Sequence, residues 1–265
     1  MKSLSSQFNE DCAKKYQSLG FRRSKKTFIR IRGETIQTFS LQYSRIGRAY
    51  SVHFGLYPLC LPQPVYFDEG EYELYRALDP CDNFTAWEHS GWEVKSKSDT
   101  DMLECIESII KAIDLYLIPF FDRCIDCKTS LTDLLALEKT FDYNRRKYLQ
   151  LKGITDCAKP WQYRSMLDSK KLYMALKTSN WSYARQYFTN WIDCYKGGSK
   201  QFDKSRSTEH TRLTELLECL QKLEGKDYGY FHTIVKCNEI EMRKFLTTQY
   251  PKLLFDYYNN QTTIL

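Results

Sequence analysis

The chain has 265 residues, 42% of them hydrophobic, with a mean hydropathy of −0.56 and a formal net charge of +6. That composition suits a folded protein of two modest cores, and no run reaches the eighteen or so apolar residues that a membrane span requires. The longest, IDLYLIPFF at 113–121, is interrupted by Pro119. The N-terminus, MKSLSSQFNEDCAKKY, lacks an apolar leader and carries Glu10 and Asp11, which predicts a cytoplasmic location. In that compartment the ten cysteines are expected to be reduced, most of them acting as small hydrophobes.

Ser3 to Leu19 predicts a helix capped by Ser5 or Ser6, with Phe8, Cys12, Tyr16 and Leu19 at helical spacing and Gly20 as its C-terminal stop. Leu19 to Tyr57 then alternates with period two in three segments, the pattern of a half-buried antiparallel sheet. Thr27, Ile29 and Ile31 are expected to face the core. Phe28, Arg30 and Arg32 would then share the outer face. Between Pro58 and Thr85 the text turns proline-rich, acidic and tyrosine-rich, a long excursion that predicts a binding edge, with a short helix near Glu71–Leu78 as an alternative. Trp87–Val94 reads as a further strand, with Gly91 marking a bulge.

Ser98 and Asp101 have capping-box spacing and open a helix with Leu103, Ile106, Ile109, Ile113 and Leu117 on one stripe, kinked or ended by Pro119. Packed across the sheet, it completes a two-layer α+β domain over residues 1–128. From Ser130 the period becomes 3.6. Helices are predicted from Leu131 to about Leu151, as a hairpin over 170–196 with Ala184 at a close helix contact, from Leu213 to Leu223, and from Asp227 to Pro251. Glu239 and Arg243 are placed as an outward i,i+4 pair, and Gly197–His210 as a polar connection. The fold class is therefore α+β: an N-terminal antiparallel sheet packed by helices, followed by an all-α C-terminal domain over 129–265.

Charge is unevenly spread: the balance is +8 over residues 1–50, −9 over 51–130 and +7 over 131–265. Catalytic signatures are missing. There is no glycine-rich phosphate loop, GxSxG, HExxH or DxDxDG motif, and His53, His89, His210 and His232 fall in four different segments, with His53 expected on an exposed strand face. Cys124-Ile-Asp-Cys127 has no second pair to complete a zinc site and follows a helix end, where the dipole does not favour a thiolate. No catalytic residue, cofactor or metal is assigned.

Two binding readings remain. Tyr66, Asp68, Glu69, Glu71, Tyr72 and Tyr75 form an acidic, tyrosine-rich tract suited to a basic protein partner. Arg22, Arg23, Lys25, Lys26, Arg30 and Arg32, interleaved with Phe21 and Phe28, form the densest basic run and suit a polyanion such as nucleic acid. The succession LGFRRSKKTFIR at 19–30, GETIQTFSLQYS at 33–44, SVHFGLYP at 51–58 and LIPFFDR at 117–123 resembles an uncharacterised bacterial family, domain of unknown function 4304, over about residues 5–125. The resemblance implies a bacterial cytoplasmic protein with an α+β first domain, and it carries no activity or site residues. Small α+β proteins of this kind often neutralise toxins as immunity proteins. The leading expectation is therefore a non-enzymatic protein-binding module, with nucleic-acid binding as the alternative.

Overall fold

The computed structural model describes residues 3–44, 49–62, 72–73, 92–93, 98–151, 169–196 and 207–253. Helix α1 (Leu4–Tyr16) is capped by Ser3, whose hydroxyl accepts from the Ser6 amide, two to three residues before the predicted caps. A 3-10 turn over Gln17–Leu19 ends at Gly20 with φ of 86°, which a glycine adopts without a Cβ penalty. Four strands follow as consecutive hairpins: β1 (Arg22–Ser24), β2 (Thr27–Arg32), β3 (Thr35–Ser44) and β4 (Ala49–Pro58). Two short strands, β5 (Tyr72–Glu73) and β6 (Trp92–Glu93), pair at separate points along the outer edge of β4.

The register sorts the side chains into two faces. Phe28 is opposite Phe39, and Phe39 is opposite Phe54, so these three share a face with Arg30, Gln37, Leu41 and Val52. Tyr16 and Phe8 of α1 dock there: Tyr16 meets Phe39 edge-on at 5.6 Å, and Phe28 stacks on Phe39 at 4.9 Å. The same face takes α2 (Asp99–Ala112), a π-helical turn (Ile113–Leu117) and α3 (Ile118–Arg123), which bury Ile106, Ile109, Ile113, Leu117 and Phe121. Pro119 has no N–H to give the Leu115 carbonyl, so the helix widens into a π turn just before it and then resumes. The predicted Ser98 cap of α2 is present.

The other face was expected to be the core and is buried too, by different helices. Ile29, Ile36 and Tyr57 pack with Leu59, Leu61 and, from the C-terminal half, Met242, Leu246 and Leu253. The sheet is thus the middle of three layers rather than one of two. The C-terminal half is helical as predicted: α4 (Cys127–Leu151), α5 (Ser169–Lys177), α6 (Trp181–Lys196), α7 (Ser207–Glu224) and α8 (Tyr228–Gln249). Ala184 is fully buried, and Trp181 lies flat on Tyr228 at 4.4 Å, fastening α6 to the start of α8. One buried cluster runs from Leu4 in α1 through the sheet and α4 to Val235 in α8.

The halves meet at the β2–β3 turn. Gly33 has φ of 58°, and a Cβ there would lie 2.1 Å from the Ile125 carbonyl oxygen, so only glycine fits. The neighbouring Glu34 amide donates to that same oxygen at 2.7 Å, and the Leu59 amide donates to Glu34 O at 2.9 Å. Asp126 then caps α4, accepting from the Thr129 amide at 2.8 Å and from its hydroxyl at 2.9 Å. Those bonds hold the Asp126 carboxyl below its usual range. Glu239, expected to point outward, reaches Lys177 of α5 at 2.6 Å.

Candidate functional site

The acidic tract is anchored through its backbone. Tyr72 is opposite Phe54 and Glu73 is opposite His53, which adds a short strand to the edge of β4 where a helix was the alternative. Tyr66, Asp68, Glu69, Glu71 and Tyr75 lie outside the described residues, as does the Tyr72 side chain.

The basic run divides. Arg23, Lys25 and Lys26 are exposed on the β1–β2 hairpin, and Arg22 is half-buried, donating to the Gln17 and Phe21 carbonyls. Lys25 takes φ of 52° at the hairpin tip. Arg30 corrects the sequence reading: it is only 1% exposed and points into the helix-covered face, as does Phe28. Its Nε donates to Gln37 Oε1, its Nη1 to Leu19 O at 3.2 Å and its Nη2 to Asp122 Oδ1 at 2.7 Å, while the guanidinium lies 4.5 Å from the Phe21 ring centre. Burial lowers its pKa, with Asp122 acting in the opposite direction. Arg32, half exposed, shares Asp122. Gln37 also donates to Phe121 O at 2.6 Å and Cys124 O at 3.2 Å, and Thr35 to Cys124 O at 2.8 Å, so the strand satisfies carbonyls that α3 leaves open at its end. This network is structural. It removes Arg30 from any phosphate-binding surface.

A third set was not singled out from the sequence. On the far face, next to the isoleucines, stand Thr27, Thr38, Ser40, Ser51 and Gly55, all buried, with His53 half-buried among them. Ser40 is opposite His53 and Thr38 is opposite Gly55. His53 Nε2 lies 3.0 Å from Ser51 Oγ. Lys170 of α5 holds its ammonium 4.3 Å from the centre of the Tyr57 ring, and beside it Lys171 makes a buried ion pair with Glu138 of α4. The available signal was the alternation Thr38-Ser40 and Ser51-His53, which reads equally well as a wet strand face.

The cysteines go separate ways. Cys124 faces Asp133, and burial raises its pKa to about 12. Cys127, also a free thiol, donates its backbone amide to Glu34 Oε2 at 3.0 Å, and its pKa is raised first by a hydrogen bond with the Cys60 thiol and then by burial. Cys60 donates to Tyr173 O at 3.5 Å. Raised pKa values keep Cys124 and Cys127 protonated and poor nucleophiles. Among the described residues no three His, Cys, Asp or Glu side chains are placed to hold a metal ion, and no helix is long and apolar enough to cross a membrane.

Neither a curated protein nor a solved structure matches this chain. A match does exist to the family described as Domain of unknown function (DUF4304), over residues 12–123. That span runs from within α1, through the sheet, to the last residue of α3, so the similarity to this family covers the first part of the chain.

Proposed function

We propose that the protein is a non-catalytic binding module for a basic protein partner, of immunity or antitoxin type, in a bacterial cytosol. The observation that carries this reading is the pairing of β5 with β4, which ties the acidic, tyrosine-rich tract to a rigid sheet edge. Residues 51–130 carry a balance of −9, so the field around that edge draws a cationic surface. Tyrosine adds contact area at small entropic cost. The raised thiol pKa values fit a binding role better than a nucleophilic one.

Nucleic-acid binding is the competing reading, and the internal engagement of Arg30 weakens it. The test is affinity capture from the native host with wild type, with Asp68→Lys/Glu69→Lys/Glu71→Lys, and with Arg23→Glu/Lys25→Glu/Lys26→Glu, followed by binding of the purified pair. One protein that binds wild type directly and is lost with the acidic-tract variant supports the proposal. Capture that ignores that variant, or nucleic acid lost with the basic-hairpin variant, overturns it.

A further inference from the structure

Buried sheet faces are normally apolar, and the far face of this sheet obeys that rule at Ile29 and Ile36. Two residues further along β3 and β4 it stops doing so. Thr38 is 1% exposed, Ser40 3% and Ser51 6%, and removing such hydroxyls from water is unfavourable unless each gains a hydrogen bond. Thr38 Oγ1 gains none among the described residues. A buried donor without a partner, amid other short hydroxyl side chains, calls for an explanation.

The local geometry concentrates donors at one point. A Cβ built at Gly55 would lie 2.7 Å from Tyr57 Cε2, 2.8 Å from the Tyr57 hydroxyl and 3.0 Å from Thr38 Oγ1. Gly55 is therefore what lets the Tyr57 ring fold back along its own strand and bring its hydroxyl to the same spot as that of Thr38. The Lys170 ammonium stands over this ring, and the Ser51–His53 pair continues the polar row along β4. The described side chains of β3 and β4 on this face include hydroxyls and an imidazole, and the acidic residue that adjoins the row by register is Glu73 of β5, opposite His53. Hydroxyl donors next to an ammonium suit an oxyanion.

We infer that this patch of Thr38, Ser40, Ser51, His53, Tyr57 and Lys170 is a binding site for a small oxyanion, a phosphate or a carboxylate group. It is a different surface from the proposed protein-binding edge, lying on a sheet face, and the two adjoin at His53, which is opposite Glu73 of β5.

The experiment is a titration of the full-length, isotope-labelled protein with inorganic phosphate and, separately, acetate, to about 10 mM, following backbone amides by NMR. Saturable shifts confined to residues 38–42 and 51–57 are expected, and the arm that saturates first names the group. Thr38→Val replaces the hydroxyl by a methyl of equal shape. It should weaken binding about tenfold while leaving the melting temperature of the ligand-free protein unchanged or higher, since a donor without a partner is removed. Thr38→Ser restores the hydroxyl and should bind like wild type. Lys170→Met should also bind about tenfold more weakly. The inference is overturned if neither anion shifts these amides, or if Thr38→Val binds as tightly as wild type.

Discussion

Replacing Arg30 with methionine distinguishes the buried arginine from its exposed neighbour. Methionine keeps most of the aliphatic stem but leaves Gln37 Oε1 and Leu19 O without their donor and removes the cation from the Phe21 ring. An orphaned buried acceptor costs roughly 1–3 kcal/mol; Gln37 is fully enclosed and belongs near 2, while the Leu19 carbonyl is partly wet and belongs near 1. The ring contact adds about 0.5–1 kcal/mol. Asp122 is 43% exposed and keeps Arg32, so its loss is small. The sum is about 3–4 kcal/mol, less an offset from no longer desolvating a guanidinium, which brings the expectation to about 3 kcal/mol. Urea unfolding at neutral pH measures it, with an unchanged m-value confirming that the folded state is intact. Arg32→Met, two residues along the same strand, should cost less than about 1 kcal/mol. A loss below about 1 kcal/mol for Arg30→Met, or equal losses for the two, would refute an internal structural role for Arg30.

Asp126→Ala removes the α4 cap and should cost about 1 kcal/mol at neutral pH. Because folding lowers the Asp126 pKa from 3.8, the cap's contribution is complete above that value and fades as the pH falls through the folded one; wild-type and variant stability curves should converge on acidification. Gly33→Ala meets the Ile125 carbonyl and should be far more damaging than Gly20→Ala, which has open space around it and costs only the roughly 1 kcal/mol of left-handed strain; equal melting points would contradict the close contact. Alkylation of the native protein followed by peptide mass mapping should label exposed Cys237 well before buried Cys12, Cys105, Cys124 or Cys127. Early labelling of Cys127 would show that the seam between the halves opens readily.

The alternation of β2, β3 and β4 was legible in the sequence, as were the Ser98 cap, the Gly20 stop, the helical hairpin around Ala184 and the helix closed by Pro251. These are local signals, decided within a turn or a strand. What period two cannot say is which face is wet when both carry large side chains. β2 puts Phe28 on one side and Ile29 and Ile31 on the other, and the resolution came from partners far along the chain, α1 on one face and α8 on the other. Arg30 went with the wrong environment for that reason: its Gln37, Leu19 and Asp122 partners are contributed by three separate elements. The contact of Glu239 with Lys177 has the same origin, because a helical i,i+4 rule cannot anticipate a neighbouring helix. The polar row at Thr38, Ser40, Ser51 and His53 was visible as letters, but its burial was not.

A sheet closed on both sides has a consequence for any relative that carries the DUF4304 domain by itself. The matched span ends at residue 123, whereas Met242, Leu246 and Leu253, which cover Ile29, Ile36 and Tyr57, come from beyond it. A chain that stops near the end of α3 would turn those side chains out to water and offer a sticky sheet face to its neighbours. Such a chain has to place polar residues at these strand positions or shield them with another copy of itself. The letters found where this chain has Ile29, Ile36 and Tyr57 therefore tell, from a short fragment alone, whether a relative was built to live with a helical half.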